Sequence, residues 1–376
     1  MALTKVSTGV VDMSQDTGGL VIAKGTTAQQ PTCNPPTTNN LGSIRENTDE
    51  NKVEVCTSTG WQFLEEAGPS FTPLTVSYLI IAGGGGGGVM SGAGGAGGYR
   101  NSYNNETSGR NSPSETPLTM SQGTAYTLQV GKGGTAIQIT GIPGASTDTM
   151  GTKGSNSVLS GGDIATIESI GGGGGSYYAP GYGTTNTKYY GGSGGSMINF
   201  GGGGEYAGQG TAGQGFNGGL SAASNPYYGG GGGGAGGAGS SSGGGVGLES
   251  SITGTPVFRG GGGGGGSYSY SFLPGGNGGG ADGTDYNTFP YQGVATPGTG
   301  GGGGGGTARA TQGSGIKWGS NGASGTIILR FPASNNAPII TNSSNLSVTN
   351  SMDGQDRIMT YSCLQETSNA TATITF

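Results

Sequence analysis

Apolar residues fall along this chain in short stretches, each of strand rather than helix length. Leu74-Thr75-Val76-Ser77-Tyr78 and Tyr126-Thr127-Leu128-Gln129-Val130 alternate apolar and polar positions, the period of a half-buried strand. Ile137-Gln138-Ile139 repeats that pattern, and Gly325-Thr326-Ile327-Ile328-Leu329-Arg330-Phe331 runs apolar in the manner of sheet residues. Upstream, Gly42-Ser43-Ile44-Arg45-Glu46-Asn47, a polar turn over residues 48–52, then Val53-Glu54-Val55-Cys56 and Trp61-Gln62-Phe63-Leu64 predict a hairpin plus a third strand. After Pro332, Ile339-Ile340-Thr341, Leu346-Ser347-Val348 and residues 370–376 read as strands in Ser/Thr/Asn-rich surroundings.

Between these strands lies polyglycine. Uninterrupted runs occupy residues 83–88, 171–175, 201–204, 229–234, 260–266 and 300–306. Bulky residues stand at or beside the start of many of them: Ile80-Ile81-Ala82, Ser169-Ile170, Tyr189-Tyr190, Asn199-Phe200, Tyr227-Tyr228 and Val257-Phe258-Arg259. A flexible linker has no use for an aromatic or aliphatic stop at each entrance, so order is expected over random coil. Three zones follow: residues 1–68, a small β-module for attachment and oligomerisation; residues 69–332, glycine-rich; and residues 333–376, a small C-terminal β segment.

The ordered form open to such runs is a bundle of polyproline-II-like (polyglycine-II) helices, with three residues per turn and no internal hydrogen bonds. The expected fold is therefore mostly β and polyglycine-II, with β-strands framing the bundle. The frame is needed on energetic grounds. Ordering a glycine backbone costs about 1–2 kcal/mol per residue, whereas an interchain hydrogen bond returns about 0.5–1.5 net. The N-terminal module is itself too small to be stable alone. Cys33 and Cys56 bracket its hairpin and are a disulfide candidate; two reduced thiols in a protein assembled in a cytoplasm are the alternative.

Composition removes several functional classes. Glycine supplies 92 of 376 residues, against an average usage of about 7%, which sets the chain apart from ordinary globular proteins. A net charge of −6 with few Lys and Arg argues against nucleic acid as a partner. The longest apolar run is far short of a membrane span, and residues 1–13 lack the pattern of a secretory signal. With no histidine and three scattered cysteines, neither His-dependent triads nor His- or Cys-ligated zinc can form. A carboxylate-pair glycosidase stays formally open through acids such as Asp49, Glu50, Glu65 and Glu66, although these lie in short polar turns. No enzyme activity, cofactor or metal is expected.

Tyr78-Leu79-Ile80-Ile81-Ala82 with the glycines of 83–88, then Gly94-Gly95-Ala96-Gly97-Gly98-Tyr99-Arg100, and the closing stretch 325–331 resemble the glycine-rich domain found in many bacteriophage fibre proteins. The number of runs is similar to the polyglycine-sandwich adhesins of T-even-type tail fibres. Gly19-Leu20-Val21-Ile22-Ala23-Lys24-Gly25-Thr26, with Gly42-Ser43-Ile44-Arg45 and Trp61, resembles a short β-module common in phage fibre and tail proteins. The tip adhesins lack that module, which leaves a whole fibre or a head decoration open. The resemblance implies a virion protein assembled in the host cytoplasm, a homotrimer through residues 1–68, and other virion proteins as partners of that module. It further implies attachment to a host-cell saccharide or outer-membrane protein through loops at the end of the bundle; a structural decoration without receptor binding is the alternative. An ice-binding reading fails because the residues between runs are irregular and aromatic rather than a flat Thr or Ala face.

Tyrosine marks the candidate loops. Of the chain's 17 tyrosines, 12 lie between residues 171 and 306, where the basic residues are Lys188 and Arg259 alone. Tyr with Ser, Asn, Thr and Gly is the mixture that binding loops use, since Tyr offers amphipathic area at low entropic cost. The candidate receptor-binding residues are Tyr177, Tyr178, Tyr182, Tyr268, Tyr270, Phe272, Tyr286, Phe289 and Tyr291. Tyrosines at run entrances, such as Tyr190 and Tyr228, are instead expected to cover the flank. Trp318 suits either role.

Overall fold

The computed structural model describes residues 22–33, 42–57, 60–64, 73–89, 92–140, 150–176, 187–197, 207–221, 229–241, 243–267, 273–285, 293–307 and 316–376. The chain divides into two compact units, Met1–Ser70 and Phe71–Phe376. The first holds one sheet of β1 (Ala23–Gly25), β2 (Ile44–Asn47), β3 (Lys52–Thr57) and β4 (Gly60–Phe63), in that order. The β2–β3 hairpin forms as its alternation predicts, pairing Ile44 with Val55 and Asn47 with Lys52, and β4 follows antiparallel. Asn51 closes the turn at φ 51°, a left-handed conformation that asparagine tolerates. β1 adds itself parallel to β2.

The interior of this small unit is polar. Arg45 and Glu54 are both buried, with Nε and Oε1 3.3 Å apart. The Gln30 and Asn47 amides donate to the same Glu54 carboxylate at 2.8–3.2 Å, and the Arg45 guanidinium lies 5.9 Å from the centre of the Trp61 ring. A buried carboxylate is tolerated only when its lone pairs are taken up in this way. Cys33 and Cys56 are joined as a disulfide with Cα atoms 5.7 Å apart, tying the segment before the hairpin to β3.

In the second unit the chain lays down β5 (Leu74–Ile81), β6 (Tyr99–Asn101), β7 (Leu118–Met120), β8 (Ala125–Val130), β9 (Gln138–Thr140), β10 (Ser157–Gly161) and β11 (Ile164–Ser169). A short hairpin of β12 (Leu248–Ser250) and β13 (Val257–Arg259) follows, then β14 (Ile316–Trp318), paired with β9. The last elements are β15 (Thr326–Pro332), β16 (Ile339–Ser344), β17 (Leu346–Asp353), β18 (Asp356–Cys363) and β19 (Ala370–Thr375).

Two of the resulting sheets pack face to face. One runs β17-β18-β15-β5-β6, with β7 also on β5; the other runs β11-β10-β8-β19-β16. Alternate residues of both meet in one core: Leu74, Val76, Tyr78 and Ile80 from β5, Ile327, Leu329 and Phe331 from β15, and Tyr126, Leu128 and Val130 from β8. From Tyr78 onward the intervening residues of β5 are buried as well, as are those of β15, whereas Thr75 is exposed and Ser77 half-buried. Leu79, Ile81 and Ile328 form a second cluster with Tyr99, Ala235, Ile252 and Ile358 on the other face. That double covering accounts for the change in β5 from alternation over 74–78 to an apolar run at 79–81, and for the apolar run of β15.

The zone after Pro332 does not stand apart as the small C-terminal segment that composition suggests. β18 pairs with β15 along its whole length, and β19 lies beside β8 in the second sheet. The apolar faces of β18 and β19, including Met359, Tyr361, Ala372 and Ile374, close the sandwich core over β5 and β15. These strands therefore belong to the body of the second unit.

The glycine runs extend from this sandwich. Among the described residues there is no α-helix, and no regular helix is assigned over the runs, so the expected bundle is not seen as helices. What the runs do show is hydrogen bonding with a period of three. Gly83 and Gly86 donate to Ser155 and Thr152, Gly84 and Gly87 to Ala323 and Ser320, and Gly85 and Gly88 to Gly95 and Gly92, all at 2.8–3.0 Å. In return, carbonyls of residues 83–88 accept from Gly134, from Gly172 and Gly175, and from Gly303 and Gly306. The run is thus enclosed by backbone on all sides, and every glycine in 83–88 is buried.

This arrangement leaves no room for a side chain. A Cβ at Gly84 would overlap the carbonyl of Gly301, at Gly85 that of Gly173, and at Gly232 that of Gly94. Gly162, in the β10–β11 turn, has nothing within 4 Å of the same position. Gly232→Val is accordingly expected to abolish folding or sharply raise protease sensitivity, whereas Gly162→Ala changes stability by no more than about 0.5 kcal/mol. Limited proteolysis and thermal melts of the two variants check this; wild-type protease resistance in Gly232→Val would refute the packing.

Buried tyrosines give the sandwich a pH limit. Burial and a hydrogen bond to Asp163 push Tyr126 up to about 12 from the ordinary 10.0, and burial chiefly raises Tyr78, Tyr99 and Tyr361 as well. A raised folded-state value means that these groups' contribution is complete below pH 10 and is lost as pH climbs beyond it. The melting temperature should fall above about pH 10, with phenolate absorbance appearing in step with unfolding. Phenolate absorbance from these tyrosines well before unfolding would show that they are not buried in solution.

Candidate functional site

The lattice has two unlike ends. At one, the runs meet the framing strands: Ala82 donates to Gly98, Gly98 to Ile170, Ala235 to Gly260, and Gly325 to Gly131. At the other, Gly88 donates to Gly92, Gly306 to Gly88, Ser176 to Ser196, Gly229 to Gly266, and Ser267 to Thr284. Ser176, Met197 and Leu220 are bridged side by side. Thr307 Oγ1 donates to the carbonyls of Ser267 and Thr284 at 3.0 and 2.8 Å.

These residues have one property in common. Ser176, Met197, Ser221, Ser267, Asp285 and Thr307 are the last described residues before segments 177–186, 198–206, 222–228, 268–272, 286–292 and 308–315. These residues lie at one end of the described lattice, where Thr307 Oγ1 ties together the carbonyls of Ser267 and Thr284. Strand β5, which opens the second unit at Leu74, enters from the other end and leads directly into residues 83–88.

Tyr177, Tyr178, Tyr182, Tyr268, Tyr270, Phe272, Tyr286, Phe289 and Tyr291 all lie in these insertions, outside the described residues. Residues flanking these segments meet, Ser176 being bridged to Met197 and Ser267 bonded to Thr284. Tyr206, Tyr227 and Tyr228 lie outside the described residues too. Tyr189 is buried and meets Tyr190 edge-on at 4.9 Å, in keeping with a covering role for tyrosines at run entrances. The other tyrosines belong to the frame: Tyr78, Tyr99, Tyr126 and Tyr361 are core residues, and Tyr103 stacks under the Arg330 guanidinium at 4.9 Å.

Arg259, one of the two cations in the tyrosine-rich stretch, is buried among the framing elements, where desolvation lowers its affinity for the proton. Among the described residues no group of three or more Cys, Asp or Glu is placed to hold a metal ion. On the flank beside the end of the lattice away from β5, however, lies an open groove of about 590 Å³. Its lining of Gln209, Asn217, Ser221 and Ser241 was not singled out from sequence, because lone amides and hydroxyls between glycines look like linker.

A family model described as a glycine-rich domain matches residues 67–332. The chain belongs to the glycine-rich domain family. No curated protein and no solved structure is matched. The match begins seven residues before β5 and ends with β15. The glycine-rich domain as matched thus includes the lattice and its two central strands, while β16–β19, which complete its sandwich, lie beyond it.

Proposed function

We propose that this protein is a non-enzymatic bacteriophage virion fibre protein that attaches to the host surface through its tyrosine-rich insertions. The observation that supports the reading is that residues preceding the tyrosine-bearing segments, among them Ser176, Ser267 and Thr284, lie at the end of the lattice away from β5. Tyrosine among small polar residues, as in segments 177–186, 268–272 and 286–292, is the mixture that binding loops use. With no histidine in the chain, the reading assigns it no catalysis.

On this reading the glycine runs are a polyglycine-II lattice acting as a rigid spacer. Support comes from the three-residue hydrogen-bond period, which is the turn of that helix, and from the absence of residues 83–88 and 171–175 among the glycines of positive φ. A six-residue run then spans about 19 Å, at about 3.1 Å per residue. The first unit serves as the attachment and oligomerisation module, anchoring a homotrimer to other virion proteins. Mass measurement of the complete chain in solution checks the assembly; a stable folded monomer would remove the trimer from the proposal.

The receptor is a host saccharide or outer-membrane protein, met by aromatics and neutral hydrogen-bonding groups. Adsorption of the purified protein to host cells should then persist at high ionic strength, since screening weakens mainly charge pairs. Replacing Tyr182, Tyr270 and Tyr286 together by Ala should reduce adsorption at least about tenfold with an unchanged circular dichroism spectrum, since a central aromatic contact is worth about 2 kcal/mol or more. Equal adsorption by wild type and variant would favour a structural decoration, in which the insertions only shield the lattice.

A further inference from the structure

The groove on the lattice flank has a chemistry of its own. Its floor is the backbone of Gly218, Gly219 and Gly239, and its walls carry Ala207, Gln209, Asn217, Leu220, Ser221 and Ser241. No lining residue is charged. A Cβ at Gly218 would strike the Gly195 carbonyl, and one at Gly219 the Ser240 backbone, so the floor must remain bare peptide. Asn217 Oδ1 accepts the Gly210 N–H at 3.0 Å, which orients the amide and leaves its two N–H donors for a ligand. Gln209 and Ser241 are exposed at the rim, and Leu220, 36% exposed, supplies an apolar face.

We propose that this groove binds a neutral saccharide. Sugar hydroxyls both donate and accept, and amides and hydroxyls answer them in kind, while a pyranose C–H face needs a small apolar contact such as Leu220. Phosphates and acidic sugars would require Arg or Lys, which the lining lacks. A purely apolar ligand would leave the groove's amides without partners. The volume lies within the range of small-molecule sites. Leu220 is bridged to Met197, and Met197 to Ser176, so the groove adjoins the end of the lattice away from β5. This deepens the adhesin reading and rests on it for the ligand's source, the host surface.

Saturation-transfer NMR of the full chain with chitotriose, maltotriose and mannotriose tests the proposal. Transfer to at least one of these is expected, and Gln209→Ala combined with Ser241→Ala should weaken it about five- to tenfold, as the loss of one or two neutral hydrogen bonds implies. The Gly162→Ala variant, altered outside the groove, should bind the trisaccharide as wild type does. No transfer with any of the three sugars, or undiminished transfer in a groove variant of wild-type circular dichroism, overturns the proposal. Adsorption to host cells is measured in parallel. Adsorption without saccharide binding sinks the groove alone, whereas saccharide binding without adsorption sinks the adhesin reading instead.

Discussion

Everything in the second unit depends on one steric fact: backbone lies where a Cβ would be. Runs that approach so closely can satisfy their N–H and C=O groups only sideways, each third residue facing the same neighbour, as Gly83 and Gly86 both face residues 152–155. The arrangement is exacting and energetically weak. A net hydrogen bond of about 1 kcal/mol does not offset the ordering of a glycine residue, which costs about 1–2. Stability must enter from elsewhere, and it enters where the runs emerge from strands. Ile80, Ile81, Ile327 and Ile328 are fully buried. Between them they reach both faces of the central sheet, so one pair of strands supports the sandwich core on one side and the second cluster on the other.

The first unit meets the problem of small size differently. It has too few residues for a large apolar core, and its centre is instead the Arg45–Glu54 pair with Gln30 and Asn47 satisfying the carboxylate. Removing either charge would strand the other in a dry interior, the situation in which a buried pair becomes costly. Such a centre specifies register more than it stabilises. The Cys33–Cys56 link contributes through the unfolded chain, by closing a loop with a sequence separation of 23.

Strands with an unambiguous period were legible in the sequence. The β2–β3 hairpin, β5, β8 and β15 could be read from alternation or apolar runs, and each is present. The β10–β11 hairpin could not, because Ser157-Val158-Leu159-Ser160-Gly161 is short and sits among glycines. β18 was hidden for another reason: its alternation carries Arg357, Thr360 and Ser362 between the apolar positions, and one of its two partners, β15, lies in a different compositional zone. Polyglycine hides more still, since identical residues carry no register. That residues 83–88 pair with 92–95, 152–155 and 320–323 follows from the strands that launch each run, not from the runs. The groove beside Leu220 was equally invisible, its four polar side chains being spread between Gln209 and Ser241 and assembled only by lattice packing.

The same constraint divides the molecule into parts that can change and parts that cannot. In the lattice, even a methyl group at Gly84, Gly173 or Gly263 would collide with a neighbouring carbonyl, so these positions are fixed by sterics regardless of function. In the proposed reading the segments that follow Ser176, Ser267 and Asp285 are display loops, which are under no such rule. Lengthening a loop with anchored ends adds little entropy, about 0.6 kcal/mol per doubling. A scaffold of this kind tolerates wide variation in what it displays while the display platform stays rigid. It is on this argument that we propose recognition in the tyrosine-bearing segments and the groove beside Leu220, rather than in the lattice or the sandwich.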